Sequence, residues 1–226
     1  FIQVFYMRKV SAVIAGSDSL LPIPTFECSR CGFVNEEFKL PVVIENDANV
    51  AALGEAQFGA GIGQKDFVFV IWGTGVGGGI ILDGKIYRGP HGGAGEIGHT
   101  TIDYNGPLCN CGNRGCIESY VGQRYLSERT RLKIQQMSKN TPPSKIIKLV
   151  NGNLDLIEPY IISAAATQGD SLAKDILSEA GSLLGVSIAS IFNVLDLRLA
   201  IIGGGISAAG EYVFDEIRKS VQSRVL

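Results

Sequence analysis

At 226 residues the chain is long enough for one large domain or two small ones around a real core. Hydrophobic residues make up 46% and charged residues 19%, which excludes a disordered chain. The formal charge of -2 gives no electrostatic ground for a nucleic acid or an anionic membrane as partner.

The opening segment, FIQVFYMRKVSAVIAG, lacks the charged, apolar, small order of a signal peptide and reads as a strand or core segment. No uninterrupted apolar run suggests a membrane span, so a cytoplasmic protein is expected. Residues 41–58, PVVIENDANVAALGEAQF, read as a buried strand, a polar break at Asn46 and Asp47, and a helix. A strand over 67–72 runs into GTGVGGG, and IILDG follows as a second strand turning at Asp83 and Gly84 into KIYRG. A glycine-rich loop fills 89–99, and a cysteine cluster fills 105–118.

From 119 a helical pattern runs to 137, TPPS at 141–144 breaks it, and NGNLD marks another loop. Leu172, Ile176, Ala180, Leu183, Leu184, Ile188 and Ile191 recur at helical spacing within 170–191. RLAIIGGGIS is a strand entering a glycine turn, and EYVFDEIRKSVQSRV is a closing helix. Strands alternating with helices indicate an α/β fold, whose binding residues gather beyond the carboxyl ends of the strands.

His99, Cys109, Cys111 and Cys116 supply three thiols and an imidazole, a complete tetrahedral set for one structural zinc per chain. Gly112 and Gly115 let the chain wrap around an ion. Cys28 and Cys31, with no second pair to complete a knuckle, are expected to be a reduced pair. Asp47 has two readings. It is either the cap of the following helix or a general base aimed into a cleft, with Asn46 holding a neighbouring hydroxyl. Glu96 and Glu118 flank the metal ligands and either face solvent or accept hydrogen bonds from a polyhydroxyl ligand. The Gly73–Gly79 run suits an anion nest but is neither a P-loop nor a dinucleotide fingerprint. Gly203, Gly204 and Gly205 form a second turn, able to lie flat under a nucleotide.

Taken in order, IENDANVAALGE, GTGVGGGIILDGKIYRG, GGAGEIGH, CNCGNRGCIE and IIGGGIS resemble the signature blocks of the ROK family (repressors, open reading frames and sugar kinases), from about Leu40 onward. The resemblance implies an actin-like, hexokinase-type (ribonuclease H-like) two-lobed fold. It implies ATP-dependent phosphorylation of a hexose or N-acetylhexosamine, with magnesium accompanying ATP, and a homodimer. Asp47 would be the general base, and Asn46, Asp47, Glu96, His99 and Glu118 would contact sugar hydroxyls. Gly73, Thr74 and Gly75 would form a phosphate loop, and Gly203 to Gly205 the adenosine turn. His99 would bind zinc through one ring nitrogen and sugar through the other.

Residues 1–66 are expected to form a partial small lobe and 67–226 the large lobe. The family's first phosphate loop, of D-x-G-[GT]-T type, has no match in residues 1–39, where AGSDS at 15–19 is the nearest approach. A non-catalytic, sugar-binding regulatory protein is the alternative. The same residues are too short and too weakly basic for the winged helix-turn-helix of the repressor branch.

Overall fold

The computed structural model describes the backbone of residues 3–6 and the whole of residues 45–138 and 142–226. The strand expected over 41–44, the Cys28 and Cys31 pair and the AGSDS segment lie outside the described residues.

Among the described residues five strands form one mixed sheet: β1 (Gln3–Tyr6), β2 (Phe67–Trp72), β3 (Val76–Leu82), β4 (Lys85–Ile86) and β5 (Leu199–Gly203), in the order β1-β5-β2-β3-β4. β5 runs parallel to both β1 and β2, while β3 and β4 continue antiparallel from β2. Residues 3–6 of the opening segment are therefore a strand at the edge of the described sheet. The turn from β3 to β4 has Asp83 at φ 50° and Gly84 at φ 73°. Two successive positive φ values suit the tight hairpin that the Asp-Gly pair predicts.

Alternation along β2 and β5 separates the two faces of the sheet. Val68, Val70, Trp72, Ala200 and Ile202 point into the main core. That core is shared with α5 (Pro159–Thr167), α6 (Ser171–Leu195) and α7 (Glu211–Gln222). Phe67, Phe69, Leu199 and Ile201 point the other way, against α1 (Asp47–Phe58) through Ala52. α1 thus covers the second face of the sheet.

The helical pattern from 119 resolves into two helices, α2 (Glu118–Val121) and α3 (Gln123–Gln135), rather than one. Gly122 between them is extended at φ -60°, ψ 151°. After 141–144, α4 (Lys145–Leu149) begins under a Ser144 cap. The helix expected over 170–191 continues to Leu195 and stops where Asp196 turns left-handed at φ 54°. By length and composition α6 is apolar enough to cross a membrane, contrary to the reading of apolar runs. Ala173, Ile176, Leu177, Ala180, Leu184 and Ile188 are nevertheless buried in the core. Gly181 and Gly185 bring α7 close, because a Cβ there would lie 2.6 Å from Val213 O and from Ser220 Cβ respectively.

β3 receives α1 by the same device. A Cβ on Gly79 would lie 2.6 Å from Ala52 Cβ and 2.9 Å from Ala48 O. We expect Gly79→Ala to force α1 off the sheet at a cost of about 2 kcal/mol. In thermal unfolding this is a fall in Tm of about 4–8 °C for a chain of this size. An unchanged Tm would mean that α1 does not rest on this strand.

Candidate functional site

Several segments that carry expected site residues meet around the first residue of β3. Val76 donates its N–H to Glu118 Oε2 at 3.0 Å. A Cβ on Gly98 would lie 2.0 Å from Val76 O, so the helical turn Ile97–His99 crosses directly over this carbonyl. The amino end of α1 covers the next residue, where a Cβ on Gly77 would lie 3.4 Å from Ala48 Cβ. The turn Gly73-Thr74-Gly75 leads into Val76, closed by Gly73 N donating to Gly75 O at 3.0 Å.

The second glycine turn lies beside the first, because Gly203 pairs in register with Ile71. Gly204 has φ 97°, and a Cβ there would sit 2.2 Å from Trp72 O. Only glycine permits both the conformation and the approach. Thr74, Gly204 and Gly205 are exposed, so both turns present backbone to solvent at the carboxyl ends of parallel strands. The later glycines of the first run have another duty: Gly77, Gly78 and Gly79 lie within β3 and clear space for packed neighbours.

The amino end of α1 assigns roles that its sequence left open. Asn46, not Asp47, caps the helix, accepting from Ala48 N at 2.9 Å and Asn49 N at 3.2 Å. Asp47 is the first helical residue, exposed, with Oδ1 accepting from Ala48 N at 2.8 Å. The capping alternative therefore moves back by one residue, and the Asp47 carboxylate stays open to a solvent-borne ligand beside a positive helix end. Glu96 is exposed and makes no capping bond to the Ile97–His99 turn. Glu118 is half-buried, with one carboxylate oxygen tied to the Val76 N–H.

Sequence reasoning missed the brace beneath this end. Glu45 receives Arg88 Nε at 2.6 Å and Asn49 Nδ2 at 3.0 Å. Burial works to raise the Glu45 carboxyl, but the hydrogen bonds from Asn49 and Arg88 outweigh it and hold the group below its ordinary value. The ion pair joins the segment after β4 to the start of α1, and no local spacing links residues so distant in sequence.

His99, Cys109, Cys111 and Cys116 come together as expected, their ligand atoms all within 4.8 Å of one another. Cys109 Sγ lies 3.7 Å from His99 Nδ1, and Cys111 Sγ lies 3.6 Å from Cys116 Sγ. Zinc–sulfur bonds of about 2.3 Å place tetrahedral thiolates about 3.8 Å apart, so the four fit such an ion. Gly112 at φ 90° and Gly115 at φ 69° make the wrapping turns. Burial, and after it the neighbouring Cys111 and Cys109 thiols, push the Cys116 thiol up to about 12. Since Nδ1 faces the thiols, Nε2 is the His99 nitrogen left for another contact.

The model of the ROK family matches residues 28–226. A glucokinase of Streptomyces coelicolor is 41% identical over 80% of this chain and 56% of its own length. A xylose repressor of Caldicellulosiruptor bescii is 35% identical over 84% of this chain and 46% of its own. The crystal structure of a ROK family glucokinase from Streptomyces griseus, in complex with glucose and AMPPNP, is 41% identical. It superposes with a TM-score of 0.76 over 84% of this chain and 60% of that one. The chain spans about half the length of the curated relatives it matches. Its α/β fold is that of the hexokinase-type, actin-like kinases, and the chain belongs to the ROK family.

Proposed function

We propose that the protein phosphorylates a hydroxyl of a hexose or N-acetylhexosamine with ATP. The observation that carries this reading is the convergence on Val76. There an open carboxylate at a helix amino end, a histidine set among three thiols and two exposed glycine turns lie around one strand end. Asp47 takes the proton of the attacking hydroxyl, and Asn46, Glu96, His99 and Glu118 orient the sugar. The backbone of Gly73, Thr74 and Gly75 meets the phosphates, and Gly203 to Gly205 lie under the adenosine. Magnesium entering with ATP supplies positive charge between the phosphates. Zinc in the His99 and cysteine cluster holds the sugar-side loop and the His99 ring in place.

In this reading residues 1–66 contribute the sugar-side helix and its partial lobe, and residues 67–226 the metal knot and nucleotide turns. A cytoplasmic homodimer working without nucleic acid or membrane completes it. The glucokinase bound to glucose and AMPPNP supports the assignment, because it is 41% identical and matches 84% of this chain. Similarity to the xylose repressor favours a second reading, in which the same pocket senses a sugar without turnover.

A coupled assay of the full chain with ATP and magnesium, across hexoses and N-acetylhexosamines, separates the two. Turnover on one sugar is the expected result. Sugar binding by folded, metal-loaded protein with no turnover on any of them would establish the sensing reading instead.

A further inference from the structure

The short helix α2 starts two residues after the metal ligand Cys116, and its contacts run to the glycine turn. Glu118, at its start, accepts the Val76 N–H at 3.0 Å. Val121, at its end, accepts from the fully buried Trp72 Nε1 at 2.8 Å. Two residues on, the N–H of Gln123 donates to Gly73 O at 3.1 Å. A Cβ on Gly75 would lie 2.3 Å from Glu118 Oε2, and one on Gly122 would lie 3.3 Å from Thr74 O. Both sides of the turn, and the strand entering it, are thus held by one turn of helix. At its other end Cys116 pairs with Thr101, and Ile117 N donates to Thr100 O at 3.0 Å. These bonds tie the helix to the segment carrying His99.

We infer that α2 is a mechanical link that sets the Gly73–Gly75 turn from the metal knot, with Glu118 and the N–H of Gln123 as its positioning contacts. Metal binding fixes Cys116, Cys116 fixes the start of α2, and α2 fixes the acceptors and donors facing the turn. The link is reciprocal by thermodynamic necessity: whatever loosens the turn weakens the metal. Its bearing on phosphate binding rests on the kinase reading above, but the link itself does not.

Gln123 offers a clean probe. It is the first residue of α3, and the preceding Gly122 has the extended backbone that proline demands of its neighbour. Gln123→Pro therefore removes the donor to Gly73 O while suiting the helix. Gln123→Ala keeps that donor and deletes only the side chain, which donates to Glu158 Oε2 at 2.6 Å.

Two measurements on the full chain decide the matter. The first is amide hydrogen exchange with zinc bound and after its removal by a chelator. Val76 and the peptide over 73–77 should exchange about tenfold faster without metal, as befits one lost hydrogen bond, while the amides of 68–71 stay protected. The second is zinc affinity by competition with a chromogenic chelator. Gln123→Pro should bind zinc about three- to tenfold more weakly than Gln123→Ala, which should match the unsubstituted protein. An unmoved Val76 amide, or equal zinc affinity in the two variants, overturns the proposal. Failure of the kinase reading would show separately, as absent nucleotide binding by the unsubstituted protein.

Discussion

Asp47→Asn is expected to lower kcat for sugar phosphorylation about a thousandfold while leaving the fold intact, because a positioned general base contributes on the order of 10²–10⁴. The substitution is nearly isosteric, and the amide oxygen can still accept from Ala48 N as Oδ1 does at 2.8 Å. The helix keeps its cap, since that duty belongs to Asn46. What is lost is the charge, and with it the capacity to take a proton from the attacking hydroxyl. The favourable interaction of a carboxylate with the helix amino end also goes, at about 0.5 kcal/mol, or about 1–2 °C in Tm. A large fall in kcat with KM for sugar and Tm almost unchanged therefore identifies a base. Activity within a few-fold of the unsubstituted protein would remove Asp47 from that role, and a parallel fall in Tm would make it structural.

The elements most legible in the sequence were those whose local chemistry has one solution. Three thiols and an imidazole within eighteen residues have few other uses, and the structure brings all four together. Alternation in FVFVIW and the apolar period of α6 follow directly from burial on a sheet face and against a core. The Asp83-Gly84 hairpin follows from the demand for positive φ.

Other features stayed hidden because the same residue types serve two purposes. A glycine that lets a phosphate approach is identical in sequence to one that lets a helix approach. Only packing tells that Gly77 and Gly79 receive α1, Gly78 receives Ile97, and Gly73 with Thr74 is left open. Adjacent Asn46 and Asp47 are equally good caps, and backbone geometry alone assigns the duty to Asn46. The Glu45 to Arg88 pair and the Glu118 to Val76 bond join residues 43 and 42 positions apart, beyond the reach of any periodicity. Gly122 divides one helical pattern into two because it is extended there, as its neighbours in sequence do not require.

The metal centre carries the largest expected effect on stability. Elemental analysis of the purified protein should find one zinc per chain, and Cys116→Ser should abolish it. The four ligands are not equivalent: Cys116 is fully buried, whereas Cys111 is exposed and kept below its ordinary value by the Asn113 backbone N–H. A serine at 116 leaves a buried hydroxyl where no water can replace the missing thiolate. At Cys111 water can occupy the vacated position, so Cys111→Ser should retain zinc more weakly. Structural zinc contributes about 10–16 kcal/mol where it organises a whole small domain, but here the large core of α5, α6, α7 and the sheet includes none of the four ligands. The loss should therefore be a fraction of that, about 3–5 kcal/mol, giving a Tm about 10 °C lower for Cys116→Ser and a smaller fall for Cys111→Ser. Zinc-free unsubstituted protein with an unchanged Tm on chelation would refute the metal centre. Equal effects of the two substitutions would show that burial does not rank its ligands.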